Sequence, residues 1–500
     1  MIKTKYSSSG QELYHEIFGS ILERTEMTPY LLLQATNYEA ALRQAARMMG
    51  NRGFDTSDSN ELNESEKKRA QQYIAQAYSY CFDFMFPFLK KQLEGLKALN
   101  TKNQYLYTNS LQVMEEIEAI LRGQEFREIV AEDPRHLFLL ASSKKYPHVF
   151  YGYKGQNLNV TPGWQRMACS ILKVAHLIKS IEEESQDVND FAQLGLFFES
   201  KGQSLHDIFN YDWENPGELP ESEAAQRAFV KISAFFHKLK EFVKYNVEQK
   251  ILTFNSGDGV EVDIVEIKAR LKSPESMFTK LGKNLEGEAY NIRDLLAITF
   301  ILKKRDDTLK LFHALQKRGV ILQENTISQS ITQTLFDLPE DMTDAVGSLM
   351  ASLSMGKGKD APNDKDEVSA NANNFYNALG VNTANNPYSS LGHKKFQCKI
   401  NFFLPIHRIA GTGKIIIPGT AEYKMRGRLN IKTEQHTLAL ELRISDEKSW
   451  QRSEYSGESH HNAYKFRQLI SVMNRVFKNI FNLPEKSFSQ VRSDQDILFS

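Results

Sequence analysis

Between Glu266 and Phe300 the chain sets Arg270, Lys272, Ser276 and Lys280 at intervals of two, four and four. Asp294 follows at the mouth of an apolar run, Leu295 to Leu302. Pro274 suits the first turn of a helix, which puts Ser276 and Lys280 one turn apart on a single face. Arg270 and Lys272 then end the strand-like run that leads in from Val260. Cations and a hydroxyl meeting at a helix N-terminus make a cradle for phosphates. A carboxylate at the edge of the next strand is placed for the Mg²⁺ that phosphates carry.

A second set of such residues lies far downstream. It comprises Tyr388 in Asn386-Pro387-Tyr388-Ser389-Ser390-Leu391, Glu441 and Arg443 in Ala439 to Ser445, then Trp450, Glu454, His460, His461 and Tyr464-Lys465. Taken in order with R-x-K-x3-S-x3-K and its Asp, these segments resemble the synthetase domain of RelA/SpoT-type alarmone synthetases, a branch of the nucleotidyltransferase superfamily. The resemblance covers roughly the last 230 residues and is interrupted by an insertion. It implies that Arg270, Lys272, Ser276, Lys280, Arg443, His461 and Lys465 hold nucleotide phosphates, that Tyr388 stacks a guanine, and that Asp294 binds Mg²⁺; Glu441, the second catalytic acid, either shares that ion or serves as base for the acceptor hydroxyl. Implied partners are ATP, with GDP, GTP or tRNA as acceptor. Thr299 stands where the family has an arginine, Arg443 for its glutamine, Ser445 for a second arginine and Gly392 for a histidine. Over most of its length the chain also resembles a bacterial family of unknown function. The shared segments are Asp133 to Ser142, Ala168 to His176, the Arg/Lys segment, and the S-H-x-x-x-Y-K-x-R-Q run near the end.

Composition narrows the remaining choices. With 500 residues, 41% hydrophobic and 25% charged, the chain can form two or three domains. Its 62 basic and 62 acidic residues cancel, so no global field favours DNA or a membrane, and polyanion binding must be local. Cys81, Cys169 and Cys398 are far apart and read as reduced core thiols. No run approaches a membrane span and the first residues lack a secretory core, so a cytoplasmic location is expected.

The elements that must position these residues divide at about residue 245. Helical periodicity covers Gln11 to Arg24, Thr28 to Met49, Asn63 to Leu99 with a break at Pro87, Ser110 to Leu121, Gly163 to Glu184 and Glu221 to Lys250. The expectation is an all-helical domain, 1–245, with its own core. An α+β arrangement follows, in which 246–323 and 386–485 build a mixed, nucleotidyltransferase-like sheet. Strands are expected at Lys250 to Phe254, Val260 to Lys268, Leu295 to Leu302, Val320 to Gln323, Phe396 to Leu404, Lys414 to Pro418, Glu422 to Arg428 and Thr437 to Ile444. Residues 324–385 read as an insertion, partly disordered, with room for a helix at Leu335 to Ser354.

Two tempting motifs carry no chemistry. Gly411-Thr412-Gly413-Lys414 lacks the spacing and the following helix of a phosphate loop, and reads as a hairpin turn. His206-Asp207 lacks the partners that a metal-dependent hydrolase needs, and reads as a surface pair. His136 and His176 read as core histidines. The expected activity is Mg²⁺-dependent transfer of a phosphoryl-containing group from ATP; the other reading is a silent domain that binds a nucleotide or a protein partner.

Overall fold

The computed structural model describes residues 64–132, 137, 140, 161–283, 292–322, 324–327, 330–336, 343–355, 388, 394–457, 460–477 and 480–500. The helices expected before residue 63, most of Asp133 to Ser142, and Gly356 to Asn374 lie outside them.

A long helical run opens the described chain in three pieces: α1 (Glu64–Ser79), a π-helical turn (Tyr80–Met85) and α2 (Phe86–Ala98). The break expected at Pro87 takes the form of this wider turn just before it. Proline has no N–H for the Asp83 carbonyl, and its ring crowds that oxygen. The backbone opens, and the Phe86 N–H bonds to the Cys81 carbonyl, five residues back. Then come α3 (Gln104–Arg122), α4 (Gln124–Glu132) and α5 (Pro162–Glu184). The Thr161 hydroxyl caps α5 as expected, accepting from the Trp164 N–H at 3.2 Å. Next are α6 (Gln186–Ser200) and α7 (Glu223–Glu241). The helix expected to reach Lys250 stops at Glu241. Val243 and Tyr245 favour extended chain, and Val243–Asn246 becomes β1.

The remaining strands are β2 (Ile251–Asn255), β3 (Glu261–Leu271), β4 (Leu296–Leu302), β5 (Thr332–Gln333), β6 (Phe396–Ile409) and β7 (Ile431–Asp446). They form one seven-stranded sheet in the order β1-β2-β3-β4-β7-β6-β5. Only β4 and β7 run parallel. Interleaved are α8 (Pro274–Lys283), α9 (Thr308–Lys317), α10 (Thr343–Met355), α11 (Glu447–Tyr455), α12 (His461–Val476) and α13 (Phe488–Leu498).

Several expectations need correction. Thr332–Gln333, placed in the insertion, pairs with Gln397 and Phe396 as the sheet edge, and Thr326 bridges to Ile400. Lys414 to Pro418 makes only the Arg408–Ile415 bridge, and Val320 lies in a bend. Glu422 to Arg428 is a short helical turn (Ala421–Lys424) and a 3-10 turn, because Thr420 caps the former. The Gly411–Gly413 segment is the turn expected, with both glycines at positive φ (93° and 70°).

Among the described residues, the helical half shares both of its cores with the chain that follows. One core joins α6 and α7 to the apolar face of the sheet, where Phe235 meets Phe402 edge-on at 5.0 Å. The other joins α1, α2, α3 and α5 to α12 and α13, with Phe86 against Phe477 at 5.9 Å. Among the described residues each half covers amphipathic faces of the other, so both cores run across residue 245.

Candidate functional site

The sheet register builds the site. Arg270, Ala297, Glu441 and Lys399 pair in one row across β3, β4, β7 and β6. Two residues along, Lys268, Thr299, Arg443 and Gln397 form the next row on the same face. Neighbouring strands lie about 4.8 Å apart, so Arg270 and Glu441 stand about 10 Å from each other. Ala297 between them offers only a methyl group, which leaves the floor open. The alternate residues of these strands face the apolar core.

Above this floor lies a cavity of about 560 Å³. Arg270, Lys272, Ser276, Lys280, Asp294, Glu441, Arg443, His461 and Lys465, all singled out from the sequence, line it. α8 is positioned at its N-terminus by Ser273, whose Oγ accepts from the Ser276 N–H at 3.3 Å. At its other end the Gly282 carbonyl accepts from Arg475 in α12 at 3.1 Å.

Tyr388 is not brought to the site. It is 8% exposed in the second core, its hydroxyl accepting from Ser471 Oγ at 3.1 Å, with the Lys283 ammonium 4.7 Å from its ring centre. The other residues of the Asn386 to Leu391 segment lie outside the described ones. The aromatic rings that do line the cavity are Phe84 and Tyr464. Phe84 comes from the π-helical turn, and Lys465 sits 4.3 Å from its ring centre. In the same turn the Tyr80 hydroxyl meets Thr279 Oγ1 of α8 at 2.9 Å.

Sequence reasoning missed several lining residues. Lys395, Gln397 and Lys399 alternate at the start of β6, and that period of two was the signal available. Glu199, Gln203, Ser204 and His206 arrive from the helical half. The segment carrying His206 docks onto β3: Leu271 N–H donates to the Leu205 carbonyl and Ile208 N–H to the Ala269 carbonyl, both at 2.8 Å. His206 is exposed, as expected, but it stands at the cavity wall rather than on an idle surface. His176 is buried, as expected of a core histidine.

Charge in the cavity is lopsided. Eight lysines and arginines line it against four carboxylates, Glu199, Glu275, Asp294 and Glu441. Lys272 Nζ donates to Asp294 Oδ2 at 2.7 Å, and Lys280 Nζ donates to Oδ1. Burial opposes ionisation of Asp294, but Lys272, Lys280 and Lys399 outweigh it and hold the carboxyl well below its ordinary range. Glu441 is 3% exposed and accepts from Arg443 Nε. Burial works against its charge too, yet Arg443, Lys395 and Lys399 bring it down to about 2. Burial pushes the Lys272 ammonium down to about 7 despite Asp294. It does the same to Lys395, helped by Arg443. His461 falls to about 3 through burial and the nearby Arg270, and is neutral at pH 7.

The two carboxylates that the resemblance offers to Mg²⁺ are engaged by protein cations. Both Asp294 oxygens already accept from ammonium groups, and Glu441 accepts from a guanidinium. Among the described residues, no cluster of three or more His, Cys, Asp or Glu could hold an ion. An octahedral ion needs several oxygens at 2.0–2.1 Å and gives up its water reluctantly. What the arrangement does offer is a dense set of N–H donors for an anion. No family model matches the chain, nor does any curated protein or solved structure. Among the described residues no helix is long and apolar enough to cross a membrane.

Proposed function

We propose that the cavity binds a nucleoside polyphosphate and that the chain is a divergent RelA/SpoT-like transferase. It would move a phosphoryl-containing group from ATP to a nucleotide such as GDP or GTP, or to an RNA such as tRNA, in the cytoplasm. The observation that carries this reading is the convergence of cations from β3, α8, β6, β7 and α12 on one cavity. Phosphoryl transfer needs positioning and charge neutralisation more than covalent help. The cation missing at Thr299 has a neighbour able to replace it, because Arg443 is its register partner on β7 and lines the same cavity. Glu441, held at about 2, is too weak a base to take a proton from an acceptor hydroxyl. It serves instead to fix Arg443.

A second reading, a nucleotide-binding module without turnover, is favoured by Asp294, whose two oxygens are both committed to lysines. Labelled ATP incubated with GDP, GTP or tRNA, in Mg²⁺ and in EDTA, separates the two. A labelled acceptor, lost in Glu441→Gln, supports transfer. Saturable ATP binding with no labelled product leaves the binding module. A folded protein that binds no ATP sinks both.

The pH dependence has a definite sign. Between pH 7 and 9 the terminal phosphate of ATP is already ionised, while Lys272 and Lys395, both at about 7, lose their charge. A bound polyanion favours the charged lysines, so binding takes up protons and ATP affinity falls as pH rises. A loss of roughly tenfold, about 1.4 kcal/mol, is expected across that window. Calorimetry in buffers of different ionisation enthalpy measures the proton uptake, and a pH-independent affinity would contradict it.

A further inference from the structure

The commitment of both acids to protein cations has a chemical implication. A divalent ion bridging a phosphate to Asp294 would have to share an oxygen with an ammonium group or displace it. It would also bring two further positive charges into a cavity that already holds twice as many cations as carboxylates. Like charges at such separations repel strongly where water is scarce. A polyphosphate without its metal meets the opposite situation. Uncomplexed nucleoside triphosphate carries about four negative charges at neutral pH, with roughly one on each inner phosphate and up to two on the terminal one.

Resting on the nucleotide reading above, we propose that this cavity takes its polyphosphate ligand as the metal-free anion, with lysines standing where a divalent ion would bridge. Lys272 and Lys280 flank the Asp294 carboxylate, which sits between them as a phosphate would. Lys395, just before β6, and Lys399, within it, line the same cavity and supply further cations. Lys399 is the register partner of Glu441, so its ammonium stem rises from the same row as the floor. A ligand phosphate entering between Lys272 and Lys280 competes with Asp294 for their protons. The carboxylate is therefore an internal competitor of the ligand, the reverse of what a metal ligand would be.

Isothermal titration of ATP into the full chain, once in EDTA and once in excess Mg²⁺, tests this directly. Affinity in EDTA is expected to equal or exceed that in Mg²⁺, by up to about tenfold, which is 1.4 kcal/mol. Asp294→Asn should tighten binding in EDTA by several-fold, because it removes the competitor and keeps the side-chain shape. A thermal melt of the variant confirms that it is folded; if it is not, the wild-type comparison decides alone. Saturable binding only in Mg²⁺, or loss of binding in a folded Asp294→Asn protein, overturns the metal-free proposal while leaving the nucleotide reading intact. No binding in either condition would overturn the nucleotide reading itself. Inorganic tripolyphosphate as a second titrant should bind in EDTA as well, since the proposal places the recognition on phosphate oxygens.

Discussion

Replacing Arg270 by Glu should abolish nucleotide binding, weakening ATP by at least about a hundredfold, or 2.7 kcal/mol. Arg270 closes one end of the floor row, separated from Glu441 by the single methyl of Ala297. The reversal removes one cation and adds an anion at a half-buried position on the cavity floor, where charges are less well screened than in bulk water. It would also place a third carboxylate in the company of Asp294 and Glu441, so a nearby phosphate would meet repulsion instead of a fork of donors. Arg270→Gln, which only removes charge, should cost about tenfold. Ligand-observed anisotropy with a fluorescent ATP, beside a thermal melt for each variant, reads both effects. If folded Arg270→Glu bound ATP within threefold of wild type, the polyphosphate reading would fail.

Arg467→Ala should be the most destabilising single change in the C-terminal helices, by about 3–5 kcal/mol. The side chain is fully buried. Its Nε donates to the Tyr388 carbonyl at 2.8 Å, and a terminal nitrogen donates to Gln495 Oε1 at 2.5 Å. Truncation leaves both acceptors buried without that donor and opens a void between α12 and α13. Close by, Asp494 Oδ2 accepts from Thr101, Asn103 and Tyr107 and pins α13 to the start of α3. Loosening α13 should therefore loosen the helical half as well. Arg467→Met restores packing without the charge and should recover part of the loss. Urea unfolding of the three proteins gives the comparison, and a midpoint for Arg467→Ala equal to wild type would refute the assignment.

Much of the site was legible because its parts are local. The spacing from Arg270 to Lys280 and the acid at the edge of β4 are short-range patterns, and the structure gathers all of them. Glu441 and Arg443 were singled out only through the family resemblance of Ala439 to Ser445; strand alternation then accounts for both facing the cavity. What could not be read was pairing. Nothing near Asp294 says that Lys272 and Lys280 will take both of its oxygens, since that depends on how α8 docks beside β4. The Tyr388 ring lost its expected place for a similar reason: Ser471 and the Arg467 fork, far along the chain, hold it in the core. The sharing of cores across residue 245 was not legible either, and for a clear reason. An amphipathic helix shows that it has a buried face but not what covers it. Here α6 and α7 cover the sheet, and α12 and α13 complete the helical core.

The parallel pairing of β4 with β7 has a temporal consequence. β3, α8 and β4 are made well before β6 and β7, already carrying Arg270, both lysines and Asp294. Their floor has no far side until β6 and β7, made much later, slot against β4. Until then Arg270, the two lysines and Asp294 lack Glu441, Arg443 and the β6 lysines that complete the cavity. On the nucleotide reading proposed above, a newborn chain should ignore the ligand and a finished one should be braced by it, so ligand added during refolding ought to slow unfolding of the completed protein without hastening its assembly.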